Sequence, residues 1–260
     1  MTSIPPLTPD QIEAARQLTS ALRSVPFALV GAVALKCQLH LRNKTEDIDF
    51  VVATTVESTT ALLALPDWTR HEQRIHEWTA PNGVQIDIVP APVEAVNAGT
   101  LVWPDGSEMN LRGMRLVFAR SRPYRVADEL ELLLPPVPVL ALLKMISYLD
   151  RHARTTKDLA HLVDIFEGYP PNDDERMFTL EQAEAGLSPE EARVQVLARE
   201  LAGIMDADER ECCRAFVRKM REPRHQAQMV RQMLQPREDC DALHSRRIDI
   251  LEMEIDLVGV

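Results

Sequence analysis

The 260-residue sequence has few cysteines and no long apolar run, and each shortage excludes a class of protein. The four cysteines form no C-x-x-C pair, which argues against a zinc site and against a disulfide framework. A reduced cytoplasm is therefore the expected compartment. No apolar run approaches the roughly 20 residues that cross a bilayer, so we expect no membrane association. The opening residues, MTSIPPLTPDQ, have neither a basic segment nor an apolar core, so we expect no signal peptide.

Several catalytic motifs are missing as well. The seven histidines include no H-E-x-x-H and no pair at helical ligand spacing, and the sequence has no G-x-S-x-G and no P-loop motif. Acidic residues also outnumber basic ones, since the formal net charge is −11. Proteins that bind the phosphate backbone usually display a basic surface, so this balance argues against a protein that coats nucleic acid, although it leaves a local basic patch open.

The stretch of residues 27–52 reads FALVGAVALKCQLHLRNKTEDIDFVV. Its apolar start predicts a buried strand, which Gly31 ends, and the apolar residues at helical spacing as far as Leu41 predict a helix. A glycine between a strand and a helix allows the backbone to approach a phosphate, because it adds no side chain and the first N–H groups of a helix are unpaired. Residues 47–52 then predict a second strand.

Three aspartates lie on the predicted strands. Alternation along the second strand places Asp47 and Asp49 on one face, about 7 Å apart, where they can share divalent cations. Asp87 lies in the alternating segment 83–89, after Pro81-Asn82-Gly83, which is a strong hairpin signal. An acid inside an apolar strand is costly unless it is satisfied. If the two strands are neighbours, Asp87 completes a three-carboxylate site.

The remaining pattern predicts two regions. Residues 1–134 predict an α/β domain and residues 135–260 a helical region, with the polar stretch 170–187 as an alternative boundary. Residues 109–119 alternate loosely and predict a strand pair or an irregular β segment. Residues 124–134 are apolar with interleaved acids, and their pattern does not decide between helix and strand.

This chain resembles the polymerase-β type nucleotidyltransferase superfamily. Typical of that superfamily are a strand, an hG[G/S] turn that opens a helix, a T-x-D-h-D-h strand and a later h-D-h strand. The matching pieces are Gly31-Ala32, Thr45-Glu46-Asp47-Ile48-Asp49-Phe50 and Ile86-Asp87-Ile88. Downstream, Leu142-Leu143-Lys144-Met145-Ile146 and Arg154-Thr155-Thr156-Lys157-Asp158-Leu159 resemble the K…R…[KR]D pattern of the AbiEii-like toxin nucleotidyltransferases. The motifs span roughly residues 27–166.

The resemblance implies an α+β fold, with a nucleotidyltransferase-like mixed sheet flanked by helices and followed by a helical C-terminal region. It implies a Mg²⁺-dependent enzyme that moves a nucleoside monophosphate from a nucleoside triphosphate to an acceptor hydroxyl, in RNA such as tRNA or in a protein. It also implies a toxin–antitoxin component with an antitoxin partner. The implied residues are catalytic Asp47, Asp49, Asp87, Lys144 and Asp158; metal-binding Asp47, Asp49 and Asp87; and nucleotide-binding Gly31, Ala32, Thr45 and Lys144.

Two residues depart from the family pattern. Ala32 stands where the family has glycine or serine, and Asn43 stands where it has arginine. A second hypothesis therefore stays open, in which the chain is a catalytically degenerate binding or regulatory module of the same fold.

Three further assignments have alternatives. Lys144 fits either a lysine extending to solvent from a core helix or a ligand of the triphosphate. Asp158 fits either a first-turn helix charge or a site residue. The arginines of residues 210–224 fit a solvated helix face or a surface that docks RNA or a partner, and the scarcity of aromatics there favours the solvated face.

Overall fold

The computed structural model describes residues 7–22, 24–41, 47–64, 67–72, 74–233 and 239–257. The chain separates into two compact units. The first contains Met1–Gln38 and Arg42–Pro136, and the second contains Leu39–Leu41 and Val137–Val260. The alternative boundary at residues 170–187 lies inside the second unit.

The first unit is built on a five-stranded mixed sheet. Its strands are β1 (Phe27–Val30), β2 (Ile48–Val52), β3 (Thr69–Arg70), β4 (Glu77–Thr79) and β5 (Gln85–Pro90), arranged in the order β1-β2-β5-β4-β3. Strands β2 and β5 are parallel, and the other neighbouring pairs are antiparallel. The β-branched and aromatic residues of β2 and β5 supply buried side chains, including Phe50, Ile86 and Ile88. The predicted strands at residues 27–30, 47–52 and 83–89 are thereby confirmed, with small shifts at their ends.

Helices of the first unit are α1 (Pro9–Ala21), α2 (Gly31–Gln38), α3 (Val56–Leu62), α4 (Val93–Ala98) and α5 (Met114–Arg120). A capping box fixes the start of α1, in which the Thr8 hydroxyl accepts from the Gln11 N–H and the Gln11 side chain accepts from the Thr8 N–H. Apolar residues of α1 and α2, among them Leu18, Val33 and Leu35, are buried. Their burial is the main source of stability for such short helices.

Two hairpins complete this unit. They pair β6 (Thr100–Val102) with β7 (Glu108–Asn110), and β8 (Arg122–Ala127) with β9 (Leu130–Leu134). The prediction of β structure over residues 109–119 is wrong beyond Asn110, because Gly113 adopts φ +85° and turns the chain into α5. Residues 124–134, which the sequence left undecided, belong to the second hairpin.

The second unit is helical. Its helices are α6 (Val137–Arg151), α7 (Lys157–Gly168), α8 (Leu180–Glu184), α9 (Pro189–Ala202), α10 (Ala207–Met220), α11 (Pro223–Val230) and α12 (Cys240–Leu257), with a 3-10 turn at Glu175–Met177. Capping boxes start α9 at Ser188 and α10 at Asp206. The apolar faces of α6, α7 and α9 meet in its core, where Leu142, Leu162 and Leu197 are fully buried.

The observed architecture confirms the predicted fold class, α+β with a mixed sheet flanked by helices and followed by a helical C-terminal region. Within the described ranges, no helix is both long enough and apolar enough to cross a membrane.

Candidate active site

Two aspartates face each other across the central pair of strands. Asp49 on β2 is the register partner of Asp87 on the parallel strand β5. Side chains of directly paired residues project from the same face of a sheet, so the two carboxylates share one face. Both residues are half-buried. The tertiary structure therefore places side by side two acids that are 38 residues apart in the chain.

A third acid extends this row across the sheet. Glu77 on β4 is the antiparallel partner of Asp87, and its side chain is buried, with 4% of the residue exposed. Arg74 makes an ion pair with it at 2.6 Å between Nη1 and Oε2. The sequence prediction missed Glu77. The hairpin signal could have found it, because a turn centred on residues 81–83 sets residue 77 opposite residue 87.

Gly31 packs closely against the Asp49 side chain. Val30 is the register partner of Asp49, so the next residue begins α2 directly beside the carboxylate. A Cβ atom placed on Gly31 would lie 1.9 Å from Asp49 Oδ2, and the φ angle of Gly31 is +70°. Any side chain at this position would therefore occupy the space of the carboxylate and adopt an unfavourable backbone conformation.

The other predicted residues of the first unit have different outcomes. Asp47 is half-buried and lies immediately before β2. Ala32 is the second residue of α2, and its methyl group is buried. Thr45, like Asn43, lies outside the described residues, so its predicted contact with nucleotide stays a prediction.

The donor chemistry of the Asp49–Asp87 pair fits a magnesium ion. Carboxylate oxygens are hard ligands, and Mg²⁺ is usually held by one or two carboxylates together with substrate phosphates and water. Among the residues that the structure describes, no group of three or more His, Cys, Asp or Glu side chains is arranged to hold a metal ion. The three-carboxylate site therefore stays a prediction, and the paired aspartates are the part of it that the fold assembles.

Lys144 and Asp158 meet within the second unit. The Lys144 ammonium on α6 donates to Asp158 Oδ1 at 3.1 Å, and the Arg151 guanidinium donates to Asp158 Oδ2 at 2.8 Å. The Asp158 side chain is 2% exposed, that of Lys144 14% and that of Arg151 52%. Burial raises the pKa of the Asp158 carboxyl, but the two cations outweigh it, so the net shift is downward. The contacts favour a structural ion pair for Lys144 and Asp158.

A buried histidine lies one turn along α7 from Asp158. His161 is 1% exposed, and its Nδ1 has no hydrogen-bond partner within the described part of the chain. Burial, helped by the charge of Lys144, lowers the pKa of His161 to about 4 from its ordinary value of 6.5. The folded protein therefore holds this imidazole neutral at physiological pH.

The His161 pKa predicts acid sensitivity. Because the folded-state value is depressed, the unfolded chain binds more protons between pH 6.5 and 4, so stability falls as the pH drops through that window. We expect His161 to contribute a loss of about 3 kcal/mol at most by pH 4. Urea unfolding at pH 7, 5.5 and 4.5 should show a smaller loss for His161→Leu than for the unaltered protein. The exposed His40→Leu variant is the control, and equal losses in all three proteins would contradict the assignment.

The arginines of residues 210–224 are largely neutralised by neighbouring acids. Arg214 pairs with Asp256, Arg218 with Glu211, and Arg221 with both Asp249 and Glu252. Lys219 pairs with Glu222 at 3.3 Å. Since these cations already have carboxylate partners, the structure favours the solvated helix face over an RNA-docking surface.

No family model matches the chain, and no curated protein matches it. Three similar solved structures are an antigenic nucleotidyltransferase-like protein from Paracoccidioides brasiliensis, JHP933 from Helicobacter pylori, and a CCA-adding enzyme in complex with ATP.

These likenesses are distant. Sequence identities are 13%, 12% and 13%, and TM-scores are 0.44, 0.38 and 0.34, in the same order. The alignments cover 86%, 95% and 87% of this chain, and 92%, 92% and 54% of the three structures. All three TM-scores lie below 0.5.

Proposed function

We propose that this chain is a Mg²⁺-dependent nucleotidyltransferase, which moves a nucleoside monophosphate from a nucleoside triphosphate to an acceptor hydroxyl. One observation carries the proposal. Asp49 and Asp87 are register partners on parallel strands, and Gly31, the first residue of α2, packs directly against the Asp49 carboxylate. This arrangement combines hard oxygen donors with a helix start that has no side chain, which together suit a metal-bound phosphate.

The residues of the first unit have distinct roles in this proposal. Asp49 and Asp87 would hold the magnesium, with Asp47 as a further carboxylate at the start of β2. Magnesium supplies charge neutralisation for the triphosphate and lowers the pKa of the attacking hydroxyl. The N–H groups that follow Gly31 would bind phosphate oxygens, because the first N–H groups of a helix have no partner within it. Asp87, which lies between Asp49 and Glu77 in the row, could also accept the proton of the acceptor.

Lys144 and Asp158 contribute less to the proposal than the aspartates of the sheet. A lysine that binds the departing pyrophosphate must release its present partner, and Lys144 is held by the buried Asp158 carboxylate. Exchange of Asp158 for a phosphate is chemically reasonable, because both are anions of similar hydrogen-bonding capacity. We keep Lys144 as a proposed phosphate ligand and Asp158 as the residue that positions it.

The finer identity of the reaction is also a proposal. The AbiEii-like motifs suggest an RNA acceptor such as tRNA, or a protein hydroxyl, and a toxin–antitoxin role with an antitoxin partner. Among the four ribonucleotides, the structure favours none.

A second candidate function has an observation of its own. The described residues contain no three-membered acid or histidine cluster of metal-binding arrangement, and Ala32 replaces the residue that the resembling family uses. A catalytically degenerate module, which binds nucleotide or a partner protein without chemistry, would retain the fold and lose the third ligand.

The experiment that separates these functions measures label transfer. The purified full chain is incubated with Mg²⁺ and each α-³²P-labelled triphosphate, first with bulk tRNA and then with total protein as acceptor. We expect label transfer that EDTA abolishes and added Mg²⁺ restores. Failure to transfer label from any triphosphate, together with an absence of pyrophosphate release, would refute the enzyme. Metal-dependent nucleotide binding in that case would identify the module.

A further inference from the structure

A run of arginines with no acid among them lies in the first unit, in a protein whose net charge is −11. Residues 109–127, which we call the arginine segment, contain five arginines and no aspartate or glutamate. They are Arg112, Arg115, Arg120, Arg122 and Arg125, and all five are exposed. The segment runs from the end of β7 through α5 into β8.

Four of these arginines have no carboxylate partner among the described residues. In the described part of the chain, Arg112, Arg120, Arg122 and Arg125 form no ion pair with an acid, whereas Arg115 makes an interaction within the chain. Arg125 lies opposite Glu131 across the β8–β9 hairpin, so the negative charge of Glu131 partly offsets the positive charge of Arg125. Arg112, Arg120 and Arg122 therefore present the strongest free positive charge of the segment.

The second unit gives the opposite picture. Several of its arginines, including Arg214, Arg218 and Arg221, pair with acids at 2.6–2.8 Å. These three arginines thus each find a carboxylate in a strongly acidic chain. Three guanidinium groups without one, within eleven residues of sequence, remain available for an external anion.

Tyr124 connects the arginine segment to α2, the helix that begins at Gly31 in the candidate site. Its hydroxyl donates to the Cys37 carbonyl at 2.5 Å, near the end of α2. Cys37 is six residues from Gly31, which corresponds to about 9 Å along the helix axis. Tyr124 is 37% exposed, and strand alternation places it on the same face of β8 as Arg122, so it offers an aromatic surface on which a base can stack.

We propose that the arginine segment binds the phosphate backbone of a polynucleotide. Arginine is suited to this ligand because its planar guanidinium donates two parallel hydrogen bonds to a phosphate. An acidic protein is the competing partner, but it would leave the exposed Tyr124 ring without a base to stack on. That the bound polynucleotide is also the acceptor rests on the proposed function; the binding itself does not.

Fluorescence anisotropy of the full chain with labelled single-stranded RNA of about 20 nucleotides tests the proposal, with DNA of the same sequence as a second arm. The test variant is Arg112→Gln/Arg120→Gln/Arg122→Gln. The matched control is Arg214→Gln/Arg218→Gln/Arg221→Gln, which removes the same charge from the second unit. EDTA is present and nucleotide is omitted, so that catalysis cannot contribute.

We expect the test variant to bind at least about 10-fold more weakly near 50 mM salt, and the control variant to bind within about 2-fold of the unaltered protein. The slope of log affinity against log salt should fall by about 0.7 for each lost contact, which is about 2 for three contacts. Preference for the RNA or the DNA arm identifies which polynucleotide is bound. Equal losses in both variants, or no binding of either polynucleotide, would overturn the proposal.

The binding proposal and the transferase proposal can be tested independently of each other. The variant Asp49→Asn/Asp87→Asn should bind RNA as the unaltered protein does, even though it transfers no label. Transfer by the unaltered chain without binding of either polynucleotide would leave the transferase intact and refute this inference alone. RNA binding without transfer would support this inference and refute the transferase.

Discussion

Asp49→Asn and Asp87→Asn should each reduce nucleotide transfer at least about 10³-fold, because loss of a magnesium carboxylate removes several kcal/mol of charge stabilisation from the transition state. The two acids are register partners on β2 and β5, so each variant removes half of the pair. Asparagine keeps the shape of the side chain and one oxygen. Initial rates of label transfer at saturating triphosphate measure the loss.

The melting temperature of the same two variants is a second measurement. Like charges directly opposite each other in a sheet are destabilising, so removal of one carboxylate should leave the melting temperature unchanged or raise it slightly. An exposed aspartate of the β8–β9 turn supplies the control, and Asp128→Asn should alter neither transfer nor melting. If Asp49→Asn and Asp87→Asn retained transfer within about 3-fold of the unaltered enzyme, these residues would not be the metal ligands.

Gly31→Ala should both destabilise the protein and abolish transfer. The added methyl would lie 1.9 Å from Asp49 Oδ2, and alanine is strained at the φ of +70° that Gly31 adopts. Backbone strain of about 1–3 kcal/mol and overpacking of a similar size predict a total loss of about 2–6 kcal/mol. Urea denaturation measures the loss of stability, and label transfer measures the loss of activity.

A matched glycine isolates the steric contribution. Gly106 has φ +81°, but a Cβ placed there meets no atom within 4 Å. Gly106→Ala therefore carries the backbone strain without the collision, and we expect a loss of about 1 kcal/mol with transfer preserved. Equal effects of the two substitutions would show that the Asp49 carboxylate moves aside freely, and the close packing at Gly31 would then have no functional consequence.

The sequence predicted much of the first unit because its signals are local. The apolar run before Gly31, the D-h-D alternation of Asp47 and Asp49, and the Asn82-Gly83 turn each depend on a few neighbouring residues. The same locality explains the error over residues 109–119, where Met109 and Leu111 alternate like a strand. A left-handed glycine at residue 113 ends that alternation and starts α5.

The candidate site was only partly predictable for the same reason. The sequence predicted that Asp87 would lie on a strand, but it left open whether that strand neighbours Asp49. It did not reveal that Glu77 lies opposite Asp87, nor that Lys144 is already bound by Asp158. Residues 109–127 and residues 210–224 are both rich in arginine, and the partners of Arg214 and Arg221, which lie more than 25 residues further along the chain, became known only from the structure.

By itself, the sequence determined the strand–glycine–helix–strand order, the hairpin that carries Asp87, and the helical character of the last 120 or so residues, because periodicity and turn chemistry act over one or two turns of chain. The tertiary structure decided which acids face each other and which cations keep a free charge. Strand register and ion pairs join residues that are tens of positions apart, and no local pattern encodes that choice of partner.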